Sequence, residues 1–257
     1  MSSCRPLFLA ILLLTGSLAL SACADMPKSP AEQEEFKATN DPLEPMNRTM
    51  FDVNDFLDRL FIRPIAELYR VLIPPGLRDR VGGIVTNMKE PVIFANDLMQ
   101  GEMGKAGTTI ERFGINTTLG VGGMWDIAGS EWGLYQQTGD FGQTLASWGI
   151  KPGPYLVLPL FGPSNFRDAL GLGVDSAMSP WSYIAYTDGV TAGDTFNIAS
   201  FSADGVVRRE QNIEAIDALR EGSLDFYAQM RSVYRQYRAK QLGGEKTSDM
   251  PKFDDYQ

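Results

Sequence analysis

The stretch DPLEPMNRTMFDVNDFLDRLFIRPIAELYRVLIPP, residues 41–75, decides the fold class. Asp41, Pro42 and Glu44 form a helix-start pattern: a capping carboxylate, proline at the first helical position and glutamate at the third, with Pro45 able to delay the start by a turn. Beyond it Met46, Met50, Val53, Phe56, Leu57, Leu60 and Phe61 recur at spacings of three and four, with Arg48, Asp52, Asp55, Asp58 and Arg59 between them. That period is helical and one-sided. Pro64 has no N–H to give and ends or kinks the helix; Ile65, Leu68, Tyr69 and Leu72 then carry the pattern to Pro74-Pro75. On periodicity alone, such a helix fits the wall of a soluble core and the plane of a bilayer equally well.

The helical reading extends toward the C-terminus. A third helix is predicted from Pro75 to about Met88, weakened by Gly82-Gly83, and a fourth from Pro91 to Gln100, with Gly101 as its terminator. Another covers Gly104 to Thr118 and leads into Gly120-Val121-Gly122-Gly123, where backbone can approach a neighbour closely. As a dinucleotide loop that segment fails, because Trp125 takes the place of the third glycine and no strand precedes it. Asp140-Phe141-Gly142-Gln143 is a capping box opening a short helix to about Trp148. Tyr155 to Phe161 is apolar and strand-like but too short to span a membrane. Ser164 is expected to cap a helix carrying Phe166, Leu170 and Val174. A long helix from about Glu210 to Gln241, with Gly222-Ser223 as a point of interruption, completes a mainly α single domain over 41–241 with few or no strands.

Toward the N-terminus, Arg5, the apolar run Leu7 to Leu20 and the small residues Ser21 and Ala22 read as a signal peptide over 1–22. Fourteen helical residues span roughly 21 Å, short of the ~30 Å hydrocarbon core. Leu20-Ser21-Ala22-Cys23 resembles the lipobox of bacterial lipoproteins, which implies cleavage before Cys23 and acylation of its thiol and new amine. Two or more acyl chains make such attachment durable. Ala24 after the cysteine favours the outer membrane under the rule for enterobacterial lipoproteins. Residues 23–40 are polar and read as a flexible tether, and 242–257 as a disordered acidic tail.

Composition closes off several classes. The only cysteines are Cys4, inside the signal, and Cys23, and histidine is absent throughout. Histidine-dependent nucleophile activation and histidine zinc sites are therefore excluded. With 32 acidic residues against 23 basic and no long basic run, the chain suits neither nucleic acid nor simple attraction to anionic lipid.

The order and spacing of several segments carry a family resemblance: Asn40-Asp41-Pro42-Leu43-Glu44-Pro45-Met46-Asn47-Arg48, Glu90-Pro91-Val92 with Asn96-Asp97-Leu98, and Arg112-Phe113 with Ile115-Asn116-Thr117-Thr118-Leu119-Gly120. Asp140 to Leu145, Gly153 to Pro159, and Gly162-Pro163-Ser164 with Arg167-Asp168 follow. Together they resemble the MlaA family of outer-membrane lipoproteins, also called VacJ. Met46 and Met88 stand where phenylalanine and leucine are expected, and Gly82-Gly83 replaces a more polar pair.

The resemblance implies a ring-like helical body with amphipathic helices lying in the outer membrane and a polar passage through its middle. Phospholipids misplaced in the outer leaflet pass through it to the periplasmic carrier MlaC, which maintains lipid asymmetry, and the lipoprotein associates with trimeric porins. No cofactor is expected. Asn54, Asp55, Asp58 and Arg59 are candidates for the passage or its gate. So are Asn96, Asp97, Arg112 and Asn116, and these, with Asn87, Arg167 and Asp168, fit buried polar pairs and caps as well. Trp125, Trp132, Trp148 and Trp181 suit either the membrane interface or a core. Two rivals are a hydrolase using Asp126 and Asp140, and a lipoprotein that scaffolds porins without moving lipid.

Overall fold

A computed structural model describes residues 40–181 and 190–243, with only the backbone of 190–198. The expected signal peptide, Cys23, the tether to residue 39 and the tail from 244 lie outside the described residues. Helix α1 (Glu44–Leu57) passes through a π-helical turn (Asp58–Ile62) into α2 (Arg63–Leu72). Neither end nor break occurs at Pro64. The missing N–H and the bulk of its ring are absorbed by the wider turn before it, in which the Arg63 N–H reaches back to the Asp58 carbonyl.

Asp41 is not the cap of α1. Leu43 holds that position without a side-chain cap bond, and Asp41 is buried. Its carboxylate accepts from Asn47 Nδ2 at 2.7 Å, from Arg231 at 2.6 Å and from the Tyr227 hydroxyl. A cation and two neutral donors satisfy a buried carboxylate better than one backbone N–H would.

Helices α3 (Pro75–Asn87), α4 (Glu90–Met99) and α5 (Met103–Thr118) fall within a residue or so of the sequence reading. Gly101 adopts φ +78° just past α4, as a terminating glycine does. After α6 (Ile127–Trp132), helix α7 (Phe141–Ser147) opens on Asp140, which accepts from the Gln143 backbone N–H at 2.9 Å and from its side-chain amide at 3.0 Å.

The apolar segment forms β1 (Tyr155–Leu158), paired antiparallel with β2 (Gly162–Asn165). Sequence reading missed β2. Ser164 lies in that strand opposite Leu156, and the cap of α8 (Phe166–Met178) is Asn165, whose Oδ1 accepts from the Asp168 N–H at 2.9 Å. Asn165 holds the extended position immediately before the helix, where a capping side chain must sit.

Helix α9 (Val190–Gln211) has no counterpart in the sequence reading, and the helix expected from about Glu210 to Gln241 is two, α10 (Ile213–Gly222) and α11 (Phe226–Gln241), interrupted at Gly222-Ser223 as expected. One break falls at Asn212. The other follows Gly222, where extended Ser223 leads to Asp225, which caps α11 and takes two bonds from Arg48. Among the described residues no helix is long and apolar enough to cross a membrane.

Burial is distributed unusually. An apolar core of Phe51, Tyr155, Val157 and Tyr227 ties α1, the hairpin and α11 together, with Phe51 edge-on to Tyr227 at 5.6 Å. Elsewhere the buried side chains are mostly polar: Asn47, Asn96, Asp97, Thr109 and Thr144 are all fully buried. Apart from Phe51 and Ala66, which are buried, and Met50, which packs on the core, the large apolar residues along α1, the π-helical turn and α2 are mostly exposed. Val53, Phe56, Leu60, Phe61, Ile65, Leu68, Val71 and Leu72 are all exposed, Val71 by 81%. The opposite face carries an ionic seam to α9 and α10: Asp55 to Arg220 at 2.5 Å, Asp58 to Arg209 at 2.7 Å, Arg63 to Asp217 at 2.9 Å and Arg70 to Glu210 at 2.9 Å.

Candidate functional site

The glycine loop after α5 does approach a neighbour closely, and the neighbour is α3. Gly123, at φ +91°, lies so near that a Cβ on Gly83 would stand 2.2 Å from its carbonyl oxygen. Only glycine fits both positions, so the departure at Gly83 has a steric function. Between α3, α4, α5 and this loop lies a cavity of about 160 Å³, lined among the described residues by Gly83, Thr86, Asn87, Glu90, Arg112, Asn116, Gly123, Asp126 and Gln136.

Arg112 organises the cavity. Its side chain is 3% exposed, and all three nitrogens are engaged: Nε with Glu90 at 3.2 Å, one terminal nitrogen with Asp126 at 3.1 Å, the other with the Leu134 carbonyl. Asn116 holds Asp126 at 2.9 Å and accepts the Ala128 N–H at 2.9 Å, while Asp126 also caps α6. Burial pushes the Glu90 carboxyl above its ordinary range, against the pull of Arg112. Burial acts on Asp126 in the same direction but is outweighed by hydrogen bonds from Asn116, the Gly129 N–H and Arg112, which hold it below that range.

Of the residues singled out in the sequence, Asn87, Arg112 and Asn116 meet at this cavity, and Asp126 joins them. The others do not line it. Asn54 ties α1 to the end of the hairpin, donating to the Leu158 carbonyl at 2.8 Å and accepting the Leu160 N–H at 2.9 Å. Asp55 and Asp58 belong to the ionic seam, and Arg59 pairs with Asp55 at the surface. Asn96 bridges Asp175 and Thr144, and Asp97 accepts from Thr109. Arg167 and Asp168 join Tyr234 and Arg238 under α11.

Asp126 and Asp140 sit in separate clusters, the second held by Arg238 and Gln143. Sequence reasoning missed Glu90, Thr86 and Gln136 as lining residues. Glu90 reads locally as a first-turn glutamate, and its partner Arg112 lies 22 residues away. Among the tryptophans, Trp125 stacks under Arg80 at 4.7 Å, Trp132 and Trp148 are exposed, and Trp181 donates to the Met88 carbonyl at 2.7 Å.

The fold and site define a mainly helical body whose first helices expose an apolar face while polar side chains fill much of its interior and line a charged cavity. Residues 39–241 match the family model described as MlaA lipoprotein, and the chain belongs to that family. It is 33% identical to the intermembrane phospholipid transport system lipoprotein MlaA of Haemophilus influenzae, over 87% of this chain and 86% of that one. To the protein of the same name in Escherichia coli it is 31% identical, over 87% and 84%. A solved structure, reported as the structural basis for maintenance of bacterial outer membrane lipid asymmetry, superposes with a TM-score of 0.68 at 31% identity, covering 79% of this chain and 98% of that one.

Proposed function

We propose that this chain is an outer-membrane lipoprotein that removes misplaced phospholipids from the outer leaflet through a polar passage and releases them to a periplasmic carrier, maintaining lipid asymmetry. The observation that carries this reading is the pairing of an exposed apolar face on α1 and α2 with a polar, ion-paired interior. Moving a headgroup through hydrocarbon is costly, and a polar interior lowers that barrier while the apolar face meets acyl chains.

In this reading Arg112 and Asn116, with Asn87, line the passage. Asn54, Asp55, Asp58, Arg59, Asn96 and Asp97 act one layer out: Asn54 sets the hairpin turn, Asp55 and Asp58 fix the embedded helix against α9 and α10, and Asn96 and Asp97 hold α4. Cys23 carries the acyl anchor after removal of residues 1–22, 23–40 is the tether, 41–241 is the body and 242–257 a tail. A porin trimer and the carrier MlaC are its partners. The role requires no catalysis and no cofactor, and a chain without histidine lacks the commonest general base.

The test is deletion of the gene, complemented with wild type or with Arg112→Met, followed by quantification of phospholipid in the outer leaflet. Accumulation on deletion, reversed by wild type and less by the variant, is the expected outcome. An unchanged outer leaflet on deletion overturns the reading and leaves a porin scaffold in its place.

A further inference from the structure

The cavity's hydrogen-bonding inventory is one-sided. Its basic residue, Arg112, has each nitrogen on a protein oxygen and its charge already matched by the carboxylates of Glu90 and Asp126, which disfavours a phosphate there. Two acceptors remain. Glu90 Oε2 and Asn87 Oδ1 are buried side-chain oxygens without a hydrogen-bond partner, on residues 1% and 6% exposed. Their neighbouring atoms are satisfied: Glu90 Oε1 by Arg112, and the Asn87 amide nitrogen by donating to Thr117 at 2.9 Å.

Two carboxylates, Glu90 and Asp126, face one guanidinium, which leaves the lining with an excess of negative charge. Asp126 is 56% exposed, so one carboxylate of the lining is open to solvent. A buried carboxylate oxygen left unpaired is costly, and a ligand that donates N–H while carrying positive charge removes that cost twice over. The volume, about 160 Å³, is well below the ~300 Å³ where pockets for drug-sized molecules begin, so it accepts the end of a headgroup and not a diacyl lipid.

We propose that the cavity formed by Asn87, Glu90, Arg112 and Asp126 recognises the primary ammonium of a phospholipid headgroup, making this passage selective for aminophospholipids such as phosphatidylethanolamine. The proposal rests on the passage reading above and adds a substrate class to it. The ammonium donates to Glu90 Oε2 and Asn87 Oδ1, and the lipid phosphate stays outside the cavity, where the committed guanidinium does not compete for it. Charge and donated hydrogen bonds both matter, so a quaternary ammonium, equally positive but without N–H, is a poor substitute.

The test exposes purified full-length, acylated protein in detergent to mixed micelles holding equal amounts of phosphatidylethanolamine, its N,N-dimethyl form, phosphatidylcholine and phosphatidylglycerol. Lipids retained after gel filtration are quantified by class for wild type and Glu90→Gln, and lipid bound around the apolar exterior, common to both proteins, cancels in the comparison. For wild type we expect enrichment of phosphatidylethanolamine over phosphatidylcholine by about tenfold, as one charge-assisted hydrogen bond implies, with the dimethyl form between them. Glu90→Gln preserves shape and an acceptor for Arg112 and is expected to bring the classes close to parity.

Equal retention of all classes by wild type overturns the proposal, as does an enrichment that Glu90→Gln retains. Equal retention by wild type overturns the proposal whether or not Glu90→Gln folds, and Asn87→Leu, which removes the second acceptor, serves as the comparison if it does not. If selectivity fails while gene deletion still raises outer-leaflet phospholipid, only this inference falls; if deletion has no effect, the passage reading falls first.

Discussion

The hydroxyl of Tyr227 donates to the carboxylate of Asp41 across 186 residues of chain, joining the last described helix to the residue just ahead of the first. Arg231 reaches the same carboxylate from the next turn of α11, and Asn47 from within α1. Removing the carboxylate leaves the largely buried Arg231 guanidinium with only the longer contact to Glu44, at 3.5 Å, as a carboxylate partner. Asp41→Ala is therefore expected to lower unfolding stability by about 3–5 kcal/mol, and Tyr227→Phe by about 1.5–3 kcal/mol. Urea unfolding in detergent, followed by circular dichroism, measures both, and an equal or reversed order contradicts the network.

Acid should loosen the seat of α11. Burial raises the carboxyls of Asp140 and Asp168, but hydrogen bonds and charge from Arg238 outweigh it and leave both below the ordinary 3.8. With folded values depressed, the unfolded chain takes up protons first as pH falls below 3.8. Stability from this pair is thus complete above that pH and is lost below it. Neighbouring Asp175 is raised by burial and runs the opposite way, losing stability as pH climbs through its folded value. Arg238→Met removes the main cause of the depression at Asp140 and Asp168 and only the smallest influence on Asp175: the variant should be less stable at pH 7 and show a shallower decline between about pH 4 and 2.

Gly83→Ala places a methyl group 2.2 Å from the Gly123 carbonyl oxygen, and neither backbone has a flexible end to withdraw. Overpacking of this kind costs roughly 1–3 kcal/mol. The expected result is a lower melting temperature with weaker phospholipid retention, because α3 and the glycine loop form two walls of the cavity. Gly76→Ala, with open space around its Cβ position, is the control and should leave retention unchanged.

On α2, Leu68 and Val71 are 56% and 81% exposed and make no part of the core. Leu68→Glu with Val71→Glu should leave helical content unchanged while reducing co-flotation with phospholipid vesicles by tenfold or more, since each such side chain is worth about 1.5–3 kcal/mol on withdrawal from water. Making the comparison in protein expressed from Ala24 onward removes the contribution of both the acyl chains and the apolar run Leu7 to Leu20. Undiminished flotation of the double variant argues against an embedded α2.

Cys23→Ser is expected to abolish acylation and leave residues 1–22 attached. Intact mass spectrometry reads both changes at once, and fractionation of the envelope should show depletion from the outer membrane.

Most helix positions were legible because their causes are local: the three-and-four spacing from Met46 to Leu72, the Asp140 cap and the glycine after α4 all act within a turn or two, whereas α6 and α9 were not read from the sequence. Strand β2 was not, since Gly162 and Pro163 lack a strand's period and acquire one only opposite Leu158 and Val157. Asp41 misled because a residue preceding Pro42 looks like a cap, while its decisive partners lie in α11. The cavity was half legible. Arg112, Asn116 and Asn87 stood out as polar residues on apolar-patterned helices, whereas Glu90 and Gln136 take their roles from neighbours that only the fold brings near.

The π-helical turn before Pro64 has a further effect, on the phase of the helix. At about 100° per residue, the five positions from Leu60 to Ile65 in an unbroken α-helix end roughly 140° away from where they began. One additional residue in the turn brings Ile65, Leu68 and Leu72 back beneath Val53, Phe56 and Leu60, and on the other side it realigns Arg63 with Asp58 so that both meet α9 and α10. Asp58–Ile62 therefore works as a vernier, allowing a single rod of helix from Glu44 to Leu72 to keep its oily edge and its ionic edge each in one plane.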